Sequence, residues 1–205
     1  MIEFFLNAYK NASTTQILLE FIAFVFGILS VWFARKQNIL VYPTGLVATT
    51  ITVYLLFIAG YLGDMMINFY FSIMSIYGWF NWSKKNNATE NLAISRTNNK
   101  QKIIGILLFL TTIFVVFYIY KYFDYQIKTE NYFDILAAGI FFTAMWYMAL
   151  KKIENWILWI FGNLIVIPLY AYRELGMLSL QYIIFTILAI LAYLEWKKIL
   201  KQKTV

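Results

Sequence analysis

Apolar residues along this chain come in long blocks, not in amphipathic stripes. Seven stretches, roughly 17–34, 39–59, 65–82, 103–120, 133–150, 155–172 and 178–196, run almost free of charge. Each is near the ~20 residues that a helix needs to cross bilayer hydrocarbon. The pattern predicts an all-α membrane protein with seven transmembrane helices. Polar clusters separate the blocks, and the longest is "NWSKKNNATENLAISRTNNKQK" over 81–102. The opening "MIEFFLNAYKNASTT" has an acidic third residue and no basic region, so 1–16 reads as a short interfacial segment and not as a cleaved signal peptide.

Charge fixes the orientation. Lys and Arg number 17 against 10 Asp and Glu, but their placement argues against nucleic acid as a partner. With seven crossings the loops alternate sides, and thirteen of the seventeen basic residues fall on one side, at 35–36, 84–102, 151–152 and 197–203. Only Lys10, Lys121, Lys128 and Arg173 fall on the other. The positive-inside rule then puts the N-terminus outside and the C-terminus in the cytoplasm.

Absences narrow the chemistry. Without cysteine there is no disulfide, thiolate nucleophile or iron–sulfur ligation. Without histidine the commonest metal ligand and general base are missing. No Gly-rich phosphate loop is present to support ATP-driven pumping. No acid lies at mid-span, so proton coupling has little to work with, while sodium coupling through carbonyls and Asn or Thr oxygens stays open. The chain is not expected to be an enzyme, and no metal or other cofactor is expected.

The chain also repeats itself. "EFIAFVFGILSVWFARKQN" from Glu20 resembles "DILAAGIFFTAMWYMALKK" from Asp134, pairing Trp32 with Trp146. "NILVYPTG" (38–45) resembles "NWILWIFG" (155–162), which sets Tyr42 opposite Trp159 and Gly45 opposite Gly162. "LGDMMIN" (62–68) resembles "LGMLSLQ" (175–181), so Asn68 and Gln181 correspond. The plan that follows has a first three-helix repeat over 17–82, a cytoplasmic loop over 83–102 and a linker helix over 103–120. A second three-helix repeat covers 133–196, and a basic cytoplasmic tail covers 197–205. An even number of crossings separates equivalent points, so this is a 3+1+3 parallel repeat. SWEET-type sugar facilitators share that arrangement, with a site between the halves near the midplane.

Polar groups inside a bilayer are costly unless they face protein or a wet cavity. In "ENWILWIFGN", Trp156, Trp159 and Asn163 fall within roughly 60° on a helix, and Tyr170 joins that face. In the third block, Asn68, Ser72, Ser75, Trp79 and Trp82 fall within roughly 80°. Each has a plainer reading. Trp156, Trp79 and Trp82 are near block ends, where aromatic belts occur. Ser72 and Ser75 suit close helix packing, and Asn68 and Asn163 suit interhelical hydrogen bonds. Trp159 is one turn further in, and its flat face suits a planar or cationic ligand.

The strings "NILVYPTGLV", "SIYGWFNW", "ENWILWIFGN" and "LSLQYII" resemble the PnuC family of vitamin transporters from about Glu20 to Trp196. The tryptophan-x-x-tryptophan-x-x-x-asparagine run at Trp156, Trp159 and Asn163 is the most specific part. The resemblance implies a seven-span core related to SWEET proteins, a homotrimer in the bacterial inner membrane, and facilitated diffusion. Uptake would be retained by a separate cytoplasmic kinase that phosphorylates the riboside. It implies that Trp156, Trp159 and Asn163 hold the ligand with an amide on span three, here Asn68 where compared transporters carry glutamine. Gln181 and Tyr182 are the expected partners from the second half. The expected function is a facilitator for nicotinamide riboside supplying NAD biosynthesis. Thiamine, or another vitamin or nucleoside, is the alternative within the family, and an intramembrane enzyme or a ligand-free assembly subunit are the alternatives outside it.

Overall fold

A computed structural model of the chain describes residues 13–58, 62–86, 90–122, 127–173 and 176–202. These contain helices α1 (Thr14–Arg35), α2 (Val41–Ile58), α3 (Leu62–Ser83), α4 (Asn99–Tyr122), α5 (Thr129–Ala149), α6 (Glu154–Tyr172) and α7 (Gly176–Gln202). A minimal antiparallel pair, β1 (Lys85–Asn86) and β2 (Glu90–Asn91), lies between α3 and α4. The expected interfacial segment 1–16 lies outside the described residues up to position 12.

Local chemistry sets where the helices begin. Ser13 caps α1 reciprocally with Gln16: the Gln16 N–H donates to Ser13 Oγ at 3.3 Å and the Ser13 N–H donates to Gln16 Oε1 at 2.9 Å. Asn98 and Gln101 exchange the same two bonds at 3.0 and 2.8 Å, which starts α4 at Asn99, inside the segment expected to be loop. At the other extreme α7 runs on through Lys197, Lys198 and Lys201 to Gln202, so most of the expected basic tail is helical.

Six of the seven helices are long and apolar enough to cross a membrane. The seventh, α3, has 22 residues, but Asp64, Asn68, Ser72, Ser75 and Asn81 spread polar groups along its whole length. A helix of that length and polarity is stable at membrane depth only when other helices take up its polar side chains.

Packing makes a closed ring. Helix α1 contacts α2, α2 contacts α3, α3 contacts α5, α5 contacts α6, α6 contacts α7, and α7 returns to α1. Helix α4 stands outside the ring and packs against α5. Glycine makes the tightest of these contacts. A Cβ on Gly162 of α6 would fall on the Phe141 ring of α5, one on Gly78 of α3 would fall on the Tyr42 ring of α2, and one on Gly105 of α4 would fall on Tyr147 of α5.

The turns α1–α2 and α5–α6 match residue for residue. Gln37 and Lys151 both take a left-handed backbone, φ 55° and 53°, and they stand 114 positions apart, 37 to 151. Around them Asn38 N–H donates to Phe33 and Tyr42 N–H to Ile39, as Lys152 N–H donates to Tyr147 and Trp156 N–H to Ile153. The hydrogen bonding therefore sets Tyr42 opposite Trp156, which corrects the pairing of Tyr42 with Trp159. Matching letters in apolar segments slid the alignment by three residues, whereas the turn geometry has one register.

The polar segment after β2 is fastened to the second of these turns. Ser95 N–H donates to the Lys151 carbonyl at 3.2 Å, Ile153 N–H to the Ser95 carbonyl at 3.0 Å and Lys152 Nζ to Ser95 Oγ at 2.8 Å. Thr97 N–H donates to Glu154 Oε2 at 3.1 Å, and Ile94 is buried in the core at this end of the ring. Burial under this strap pulls the Lys152 ammonium below its usual pKa, and the nearby Glu154 carboxylate opposes the shift. This end carries Arg35, Lys36, Lys84, Lys151, Lys152 and Lys197, and is called the basic end below.

Candidate functional site

The stripe on α6 lies inside the ring. Trp156 is 1% exposed and Asn163 is 2% exposed, while Trp159 between them is partly buried. Trp159 packs on Phe71 of α3 at 5.9 Å and on Phe141 of α5 at 5.3 Å between ring centroids. Phe141 in turn packs on Tyr182 of α7 at 6.1 Å, and Tyr182 on Tyr170 of α6 at 5.2 Å. Four helices thus contribute rings to one aromatic cluster, referred to below as the chamber. None of Phe71, Phe141, Trp159, Asn163, Tyr170 and Tyr182 carries a charge.

Some polar atoms on the α6 stripe are unused. Among the described residues, the buried side-chain atoms without a hydrogen-bond partner are Tyr42 Oη, Asn155 Oδ1, Trp156 Nε1, Trp159 Nε1 and Asn163 Oδ1. Three of these belong to the α6 stripe. A buried donor or acceptor left unmade costs about 1–3 kcal/mol, so such groups rarely persist without a purpose. Two N–H donors and one carbonyl acceptor, held among aromatic faces, are complementary to a planar ligand that itself carries an acceptor and a donor.

The other expected site residues are placed as follows. Asn68 is half-buried on α3, one turn before Phe71. Tyr182 is in the chamber wall. Gln181 is at the α1–α7 seam, where its Nε2 lies 3.1 Å from the point a Cβ on Gly27 would occupy. Adjacent positions on a helix point about 100° apart, so Tyr182 and Gln181 face different neighbours. Ser72 and Ser75 face α2 and not the chamber: Ser72 Oγ is 2.8 Å from Thr49 Oγ1, and Ser75 Oγ is 3.6 Å from the Cβ point of Gly45. Trp79 is 42% exposed. The face of α3 that meets α6 is the one with Phe71 and Met74, turned about 100° from the serines.

Phe71 and Phe141 were not singled out by sequence reasoning. In a chain that is 20% aromatic, a phenylalanine inside a span carries no signal of its own. The position of Phe71, three residues after Asn68 on α3, was the usable hint.

Comparison with known proteins bears on what this chamber serves. Residues 17–198 match the family model described as nicotinamide mononucleotide transporter. The chain belongs to that family. This family member is 23% identical to the nicotinamide riboside transporter PnuC of Escherichia coli (strain K12) over 201 residues, covering 87% of this chain and 84% of that one. The PnuC of Shigella flexneri matches to the same extent. Its fold matches the crystal structure of the vitamin B3 transporter PnuC with a TM-score of 0.73 at 22% identity, over 98% of this chain and 88% of the other. The family member is therefore a multi-pass membrane transporter, and the α6 stripe lies within the matched residues.

Proposed function

We propose that the protein is a facilitator for nicotinamide riboside, taking it up across a bacterial inner membrane with the N-terminus outside and the basic end in the cytoplasm. The observation that carries this reading is the pair of unpartnered indole N–H groups with Asn163 Oδ1 in an uncharged aromatic chamber. Nicotinamide riboside has a flat cationic ring, a carboxamide with one acceptor and one donor group, and ribose hydroxyls. The faces of Trp159 and Phe141 suit the cationic ring. Asn163 Oδ1 suits the carboxamide NH2, and the indole N–H groups suit its carbonyl or the hydroxyls. A phosphate would meet no cationic side chain among the chamber residues named, which favours the riboside over the mononucleotide.

The ring supports a 3+1+3 parallel repeat, in which α1–α3 and α5–α7 are the two halves and α4 the linker. Its cross-half contacts are α1 with α7 and α3 with α5, the two that a two-fold relation would exchange. Rocking of one half against the other would open the chamber to each side in turn. Assembly as a trimer and retention of the riboside by a cytoplasmic kinase rest on the family resemblance.

Purified protein in liposomes is expected to take up nicotinamide riboside saturably, with no ion gradient, and only until the inner concentration equals the outer. Excess unlabelled riboside is expected to compete, and the mononucleotide and thiamine are expected not to. Uptake that requires sodium, or that thiamine blocks better than the riboside does, would overturn this assignment.

A further inference from the structure

At the basic end, four aromatic rings from four helices form an arch over the chamber. Tyr42 of α2 meets Trp82 of α3 edge to face at 5.1 Å and 86°. Trp82 meets Trp196 of α7 at 6.4 Å. Trp196 meets Trp156 of α6 edge to face at 5.3 Å and 87°. The arch is symmetric about its middle, for 42 and 156, like 82 and 196, lie 114 positions apart.

Each central indole is bonded to the opposite half. Trp82 Nε1 donates to the Met148 carbonyl at the end of α5, at 3.2 Å, and Trp196 Nε1 donates to the Arg35 carbonyl at the end of α1, at 3.0 Å. Beside Trp196, the Arg35 and Lys36 side chains both reach Glu195, at 2.6 and 3.1 Å. Beside Trp82, Asn81 Nδ2 donates to the Ala149 carbonyl at 2.8 Å, and Lys151 Nζ lies 4.3 Å above the indole ring. All of these directional contacts join α3 to the α5 end or α7 to the α1 end. None of them holds a half together internally, so a rigid-body rocking of the halves would break them and leave each half packed.

We propose that Trp82 and Trp196 form the cytoplasmic gate of the transport path, shut in this structure. This rests on the transport reading and orientation given above. The gate and the chamber share a wall, since Trp196 packs on Trp156, so a ligand that shifts Trp156 acts directly on the closure.

The chain has no cysteine, so a single one can serve as a reporter. Thr186 is buried on α7, one turn from Tyr182 and more than two turns inward of Trp196, and Thr186→Cys is nearly isosteric. A membrane-impermeant thiol reagent is added to the cytoplasmic face of inside-out vesicles, without substrate. Adding Trp82→Phe or Trp196→Phe keeps a ring but removes the bond across the seam, and each is expected to speed labelling roughly fivefold. Glu195→Gln, at the rim and outside the aromatic packing, is expected to speed it about two- to threefold. Trp32→Phe, on the outer face of α1, is expected to change nothing. Unchanged labelling in both Trp82→Phe and Glu195→Gln overturns the gate. A wrong substrate would instead appear as absent riboside uptake with the labelling response intact.

Discussion

Trp159→Ala is expected to weaken nicotinamide riboside binding on the order of 100-fold in a titration of the detergent-solubilised protein. The indole supplies both a face and an unpartnered donor. A desolvated cation–π contact contributes up to about 2 kcal/mol, and an aromatic contact about 1 kcal/mol more. Asn163→Leu separates a ligand role from a packing role. Its Oδ1 has no partner among the protein's own groups, so an isosteric apolar side chain removes a buried unsatisfied acceptor. The empty Asn163→Leu protein is expected to melt no lower than the parent, yet to lose the stabilisation that the riboside gives. A fall in melting temperature with riboside binding intact would assign Asn163 to the scaffold.

Gly162→Val is expected to have the largest effect on stability. The added Cβ would fall on the Phe141 ring, itself packed between Trp159 and Tyr182. Overpacking by one methylene group typically costs about 1–3 kcal/mol, and valine brings three carbons onto a ring already packed on two neighbours. The melting midpoint in detergent should drop by several degrees, and riboside binding should weaken with it because Phe141 moves against Trp159. Gly27→Ala is the control. Its Cβ would meet the end of the Gln181 side chain at 3.1 Å and the edge of the Phe185 ring at 3.3 Å, contacts that shifts of a few tenths of an ångström relieve, so the change should cost far less than Gly162→Val. Equal losses at the two glycines would show that the α5–α6 contact is softer than its geometry indicates.

The membrane class and the α6 stripe were legible in the sequence because each rests on a strong local constraint. Bilayer thickness dictates block length, and two tryptophans with an asparagine at helical spacing inside an apolar block have few structural uses. The phase of α3 was less legible. Ser72 and Ser75 are polar and drew attention, but a serine can bond to its own helix or to a neighbour such as Thr49, so polarity alone did not say which side faced the chamber. The start of α4 was written in the sequence as Asn98-x-x-Gln101, though a polar run between spans reads first as loop. The Tyr42–Trp156 equivalence was hidden for a different reason. The turns that establish it use Gln37 and Lys151 at left-handed positions, where glycine or asparagine would have flagged the geometry.

Helix α4 touches the ring only from outside, at α5. It adds no wall to the chamber and no bond to the arch. On the proposed 3+1+3 plan it would provide parity: a chain that has crossed three times must cross once more before a second triplet can start from the original face. A gene encoding one triplet, meeting its own product about a two-fold axis, would need no such return crossing. On that plan, the fourth helix is what joining two like units end to end would require.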